Sequence, residues 1–343
     1  MSQSVVTVPA LVLACVLCGL LTRLPAQTIG QPTPLATTPE SVTPTLPAKA
    51  QRPSLMIKQG GLELEWRTSY SHSSRNSVYI DGVSVYPILV IGEVGVERVR
   101  KDSIVTSLSG RYGVRNNLMA EIKLPVSFRP ERYSVPDVSP PQEHSVSNFG
   151  IGDIEGGLFY QLPRQHEDHT RWVASINVKS TTGQDPFEIN IKKSVPLGSG
   201  FWNTKVGITS VKISDPAAVF WNAGYTVNWE RHDIPITVTD MQTGEESILY
   251  LDIKPANLVE MGGGFAYAIN PRLSVNTGVS ISWSGSCLSE GKKVPNSAFT
   301  TATLRLGAVW LTDNNLPVDI GLGIGLTDDS PDFSLDFRHN FKL

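Results

Sequence analysis

The sequence predicts an all-β chain whose body is an antiparallel transmembrane β-barrel of about twelve strands. Three observations carry that reading. From Leu62 to Leu343 apolar residues recur at every second position, and no amphipathic helix breaks the pattern. The alternating runs, 118–128 and 217–229 among them, exceed the roughly five or six residues usual in soluble strands and suit a tilted membrane-spanning strand of about 9–11. Only 18% of the 343 residues are charged, against roughly 25% in an ordinary soluble protein. No stretch beyond residue 30 holds the run of about 18 apolar residues that a membrane helix requires. A soluble β-sandwich is the competing class, but Gly, Ser and Asn on the second face of such long strands suit it poorly.

The elements follow in order. Val5 to Leu21 is an apolar run ahead of Thr22-Arg23-Leu24-Pro25-Ala26-Gln27, which reads as a signal peptide over 1–26 cut after Ala26. The segment before it (Met1 to Ser4) carries no Lys or Arg, so an N-terminal membrane anchor is the alternative. Cys15 and Cys18 lie in this segment and leave Cys287 alone downstream, which implies no internal disulfide and no thiolate metal site. Residues 27–60 form a Pro/Thr-rich linker that stays extended and cannot build a core. Residues 61–343 form the barrel.

Within it, runs near 62–71, 88–101, 103–114, 118–128, 149–162, 171–181, 200–212, 217–229, 256–269, 272–285, 297–311, 316–326 and 333–343 read as strands. A single-chain barrel of the bacterial outer membrane needs an even number. Reading 88–114 as one long strand that projects beyond the membrane makes twelve; an additional strand near 76–86 makes fourteen. Short links after Tyr112, Ile213, Ile269 and Leu311 alternate with longer polar segments at 129–148, 182–199, 230–255, 286–296 and 327–332. That alternation suits tight periplasmic turns and long outer loops. Trp66, Trp172, Trp202, Trp229, Trp283 and Trp310 sit near strand ends, where aromatic girdles fall.

With the apolar face toward lipid, the inner face receives Arg111, Glu121, Lys123, Asp153, Glu155, Lys179, Lys205, Glu260, Arg305, Asp319, Asp336 and Arg338. Both signs occur on neighbouring strands: Arg111 beside Glu121, Asp153 and Glu155 beside Lys179, Arg305 beside Asp319. Paired charges offset their desolvation in a narrow lumen, whereas a wide ion pore tends to segregate them. These residues are therefore either a salt-bridge network filling a small barrel or a polar constriction along a solute path.

Catalytic patterns are absent from the sequence. His166-Glu167-Asp168-His169 reads as a solvated turn, and Gly321-Leu-Gly323-Ile-Gly325 has no helix after it to make a phosphate loop. Gly262-Gly263-Gly264 lies in a strand and lets the sheet bend or a neighbour approach. There is no G-x-S-x-G elbow. The expectation is a protein that is not an enzyme and has no catalytic, cofactor or metal site. The formal net charge of −3, with no concentrated basic run, excludes nucleic-acid binding.

Several phrases point to one family. Arg111-Tyr-Gly-Val-Arg-Asn-Asn-Leu-Met-Ala-Glu-Ile-Lys-Leu-Pro125, Phe149-Gly-Ile-Gly-Asp-Ile-Glu-Gly156, Tyr267-Ala-Ile-Asn-Pro-Arg-Leu-Ser274, Lys293-Val-Pro-Asn-Ser-Ala298 and above all Gly325-Leu-Thr-Asp-Asp-Ser-Pro-Asp-Phe333 resemble the family called putative MetA-pathway of phenol degradation. The resemblance covers about residues 60–343 and implies an outer-membrane β-barrel of transporter type, in a Gram-negative-type bacterium, with a link to aromatic compounds. The partners it implies are outer-membrane lipid, a small solute, and the barrel-assembly machinery, engaged through the C-terminal strand. That strand ends in Leu343 rather than an aromatic, leaving Phe341 to carry the insertion signal. The expected function is a passive channel for small solutes, hydrophobic or aromatic ones among them. The alternative is a structural barrel with a closed lumen whose loops 129–148 and 230–255 meet partners.

Overall fold

The computed structural model describes residues 56–81, 93–135, 142–163, 170–189, 194–239, 246–295, 297–313 and 316–342. The segment read as a signal peptide, most of the linker and the His166–His169 turn lie outside the described residues. In chain order the strands are β1 (Leu62–Asp81), β2 (Glu93–Arg115), β3 (Leu118–Val135), β4 (Gln142–Ile151), β5 (Glu155–Gln161), β6 (Thr170–Lys179), β7 (Asn203–Ser214), β8 (Ala217–Asn228), β9 (Arg231–Thr239), β10 (Glu246–Lys254), β11 (Leu258–Asn270), β12 (Leu273–Ser284), β13 (Leu288–Ser289), β14 (Lys292–Lys293), β15 (Phe299–Leu311), β16 (Pro317–Gly325) and β17 (Phe333–Lys342).

Twelve of them (β1, β2, β3, β5, β6, β7, β8, β11, β12, β15, β16 and β17) form a closed antiparallel barrel, sealed where β1 pairs β17 from Glu63↔Lys342 to His72↔Phe333. The thirteenth strand of this sheet, β4, is the upper piece of a descending strand interrupted at residues 152–154. It pairs the upper half of β3, from Val126↔Ile151 to Val135↔Gln142, while β5 pairs the lower half. Of the long strand expected over 88–114, residues 88–92 lie outside the described residues and 93–114 are present in β2. Its ladder with β1 runs from Leu62↔Tyr112 to Asp81↔Glu93, beyond the last β1–β17 pair, so β1 to β4 project past the barrel rim as a tongue. Of the residues near 76–86 considered for a fourteenth strand, 76–81 extend β1 and 82–86 lie outside the described residues.

The period-two pattern explains the wall. On β3, Ile122, Leu124, Val126 and Phe128 are exposed on the outer face while Glu121, Lys123 and Ser127 turn inward. Phe149 is 71% exposed, Trp310 61% and Ile320 57%. A continuous outer surface of this kind far exceeds the apolar patches soluble monomers tolerate and requires lipid around it.

At the end of the short turns, residues 56–60, the last part of the stretch read as a linker, belong to the ordered base. Gly60 N–H donates to Gly113 O (2.8 Å) and Gln59 N–H to Asn116 Oδ1 (3.2 Å). Position 113 has no room for a side chain, because a Cβ there would stand 2.1 Å from Lys58 O.

The opposite, loop end holds structure that the alternation did not announce. Segments 230–255 and 286–296, read as polar loops, contain a second sheet in the order β14-β13-β10-β9. Phe201, Ile234 and Ile253 are buried together beside it, with Phe187, Leu251 and Val294 packed around them. Each such side chain removed from water contributes roughly 1.5–3 kcal/mol, enough to order a short hairpin that has no lipid face.

Candidate functional site: the inner wall and the loop-end cavity

Strand register places eleven of the twelve charged residues named above on the inner face, Asp153 lies in the interruption between β4 and β5, and most of the twelve are joined in pairs. Arg111 lies between two acids, with Nε 2.7 Å from Glu121 Oε2 and Nη2 2.8 Å from Glu65 Oε2. Arg67 meets Asp336 at 2.8 Å and Lys123 meets Glu155 at 3.2 Å. Lys179 meets Asp153 at 3.2 Å, and Arg338 is bonded to Asp319. Lys205 on β7 reaches across β8 to Glu260 on β11 at 2.5 Å. The crossing needs Gly224 beneath it, since a Cβ there would lie 3.1 Å from Lys205 Cε.

The expected pair of Arg305 with Asp319 does not form. Asp319 lies directly opposite Arg338, whereas Arg305 lies between Gly278 and Gly323. Arg305 is exposed, with no acid within ion-pair distance among the described residues. Glu155 is bonded to Lys123 rather than Lys179, and Glu65 and Arg67 join the network although the sequence reading omitted them. Both omitted residues were legible by parity on β1, where odd positions face inward.

Toward the turn end, the inner wall has a second, apolar arc that the rule "apolar faces lipid" missed. Met119, Val173, Val211, Ala218, Ala268, Val309 and Leu311 are all buried there, on β3, β6, β7, β8, β11 and β15. They share inward parity with Glu121, Asn177, Lys205, Asn222, Glu260 and Arg305 on the same strands. Between them the wall is thin: the amides of Asn177, Asn222 and Asn276 lie over their cross-strand partners Gly157, Gly262 and Gly307.

Asp153, in the β4–β5 interruption, anchors the segment between β6 and β7. Its side chain is 6% exposed and accepts from Gly183 N–H (3.0 Å), Ser199 N–H (2.9 Å) and Ser199 Oγ (2.7 Å), besides its ion pair with Lys179. This anchored segment, with the start of β9, lines a cavity of about 700 Å³ bordered by Phe201, Trp202, Trp229, Ile189, Glu188 and Arg231. Arg231 is bonded to Asp185 and lies over the Phe187 ring at 5.4 Å.

Nearby, His232 Nδ1 is 2.8 Å from Asp252 Oδ2. The hydrogen bond and the negative charge of Asp252 hold the His232 pKa above the ordinary histidine value of 6.5, and His232 lowers that of Asp252. A raised histidine pKa stabilises the folded hairpin fully below the unfolded value and loses that contribution as pH rises through the folded one. The pair is therefore expected to be at full strength below pH 6.5 and to weaken as pH rises above it. An NMR titration of the His232 ring checks this: its midpoint should fall toward the ordinary value in Asp252→Asn, with Glu230 and Asp233 still raising it.

A closed barrel with a lipid-demanding outer face and a polar, internally paired wall defines a β-barrel of the class that spans bacterial outer membranes. The chain belongs to the family described as Putative MetA-pathway of phenol degradation, whose family model matches residues 92–343. Its fold is similar to that of the COG4313 outer membrane channel from Pseudomonas putida F1, at 16% identity over 90% of this chain and 100% of that chain, with a TM-score of 0.57. The toluene transporter TbuX from Ralstonia pickettii matches at 11% identity over 84% of this chain and 90% of that one, with a TM-score of 0.43.

Proposed function

We propose that the protein is a passive outer-membrane channel for small uncharged solutes, hydrophobic or aromatic ones among them, with the short turns in the periplasm and the long loops outside. The observation that carries this reading is the inner wall itself. Its charges are largely neutralised in pairs, so little net field remains to concentrate ions, and the arc from Met119 to Leu311 is apolar. An apolar wall of this kind opposes hydrated ions by dewetting and favours an apolar solute. Membership of the phenol-degradation family and the name of the toluene transporter point to the same solute class. The loop-end cavity, mostly polar but bordered by Trp202 and Trp229, is of a size to receive a small molecule. The reading needs no cofactor and no catalytic step. Export by the 1–26 signal peptide and insertion through the C-terminal strand belong to the same proposal.

The test is solute flux into liposomes carrying the purified barrel. Phenol-sized neutral solutes should enter faster than charged analogues of equal size. Val309→Ala and Leu311→Ala should increase that flux several-fold, and Arg305→Glu should shift the residual ion selectivity toward cations. A second reading, a structural barrel closed to solutes, is favoured by the burial of Ser107, Ser109, Ser127 and Ser274 on the inner face. Absence of flux for every solute, in wild type and in both alanine variants, would establish the closed barrel and sink the channel.

A further inference from the structure

We propose that Glu230, His232 and Asp252 form a divalent transition-metal site on the loop-end sheet, with one imidazole nitrogen and two carboxylate oxygens as protein ligands. Their donor atoms all lie within 4.8 Å of one another. The arrangement follows from strand chemistry. Glu230 immediately precedes β9 and His232 is its second residue, two positions on, and β10 supplies Asp252 from the neighbouring strand, so the three donor groups meet. The ladder skips here: Leu251 pairs Ile234 and Ile253 pairs Arg231, so His232 and Asp233 together face Asp252 across a bulge. Bulges re-aim side chains out of the regular sheet, and this one gathers the three ligands on one side.

Asp252 is also held as an outer shell holds a metal ligand. Asp233 N–H donates to its Oδ1 (3.0 Å), leaving Oδ2 directed at His232 Nδ1. From the β13–β14 turn, Glu290 accepts the Asp252 N–H through Oε1 (2.6 Å) and donates its own N–H to Asp252 O (2.9 Å). Such contacts fix a ligand's direction before the ion arrives. Ligands of a tetrahedral ion at about 2.0–2.1 Å stand about 3.4 Å apart, so modest rotation of three accessible side chains closes the set. One borderline nitrogen donor with two hard oxygens, and room for water in the remaining position, suits zinc and its neighbours in the transition series. Arg231 sits between two of the ligands and is bonded to Asp185 at the cavity, so a bound ion would fix the hairpin against the segment that lines it.

Titration of the tag-free full chain, folded in detergent micelles, with zinc chloride by calorimetry tests the site. Cobalt chloride serves as the spectroscopic probe. Wild type should bind one equivalent and give the visible absorption of a low-coordinate cobalt centre. Loss of an outer-shell partner alone weakens metal affinity roughly 10–100-fold, so His232→Ala should weaken it by at least the upper end of that range. Glu230→Gln, which alters an accessible side chain and leaves the hairpin core intact, should weaken it in the same direction. Strand content by circular dichroism keeps folding separate from binding. No saturable binding by folded wild type, or binding that His232→Ala leaves unchanged, overturns the proposal.

Discussion

Replacing Asp153 with alanine lowers the stability of the folded barrel by about 3 kcal/mol and raises its conductance. Removal of one partner of a buried ion pair leaves the other charge uncompensated. Lys179 would keep only its contact to Ser199 Oγ, and the N–H groups of Gly183 and Ser199 would lose their acceptor. Gly183 and Ser199, in segment 180–200, then lose their fastening at the β4–β5 interruption, where the bonds of Ser180 and Thr182 to Gly152 and Ile154 remain. Denaturant titration followed by tryptophan fluorescence reads the first effect, and single-channel recording in planar bilayers reads the second. Asp153→Asn keeps the shape and part of the acceptor capacity, so its loss should be smaller. A stability loss with unaltered conductance would mean that this segment does not restrict the path.

Arg111→Met is the second large effect, about 3–5 kcal/mol. The Glu65 side chain is only 8% exposed and that of Glu121 18%, so the substitution leaves two carboxylates facing one another with no cation between them. Both rest on Arg111, although the Glu65 contact is a close ion pair without hydrogen-bond alignment. Replacing all three residues with apolar side chains of similar volume should recover most of the loss, because an ion network and a packed apolar cluster often have comparable net worth. Thermal unfolding of the single and triple variants distinguishes these cases. If the single variant unfolds like wild type, the triad is solvated and contributes nothing.

Much of the barrel was legible because one rule governs it. A strand with lipid outside must alternate, and Ile122, Leu124, Val126 and Phe128 against Glu121, Lys123 and Ser127 alternate without exception. The even strand number that a closed barrel requires merges 88–114 into one strand, whose described part is β2. The alternation also found Arg111 beside Glu121, which are direct cross-strand partners.

The rule fails wherever lipid stops setting the pattern. The 230–255 segment has no lipid face; its apolar residues Ile234, Leu251 and Ile253 instead meet Phe201, far away in sequence. At the turn end Val173, Val211 and Val309 face inward, because the inner space there is buried. Parity also cannot choose among inward partners. Arg305 and Asp319 share a face on adjacent strands, yet Asp319 lies opposite Val309 on one side and Arg338 on the other.

The amino-acid sequence by itself determined the class of this protein: an all-β body of twelve strands with lipid outside and charge inside. Each of these depends on local composition or on a period of two, which survives without knowledge of any neighbour. Only the tertiary structure decided which charge meets which, where Asp153 fastens a distant segment, and that Glu230, His232 and Asp252 converge. Those depend on strand register and on the interruption between β4 and β5, and a shift of one residue in register exchanges the partners while leaving the alternation within each strand unchanged.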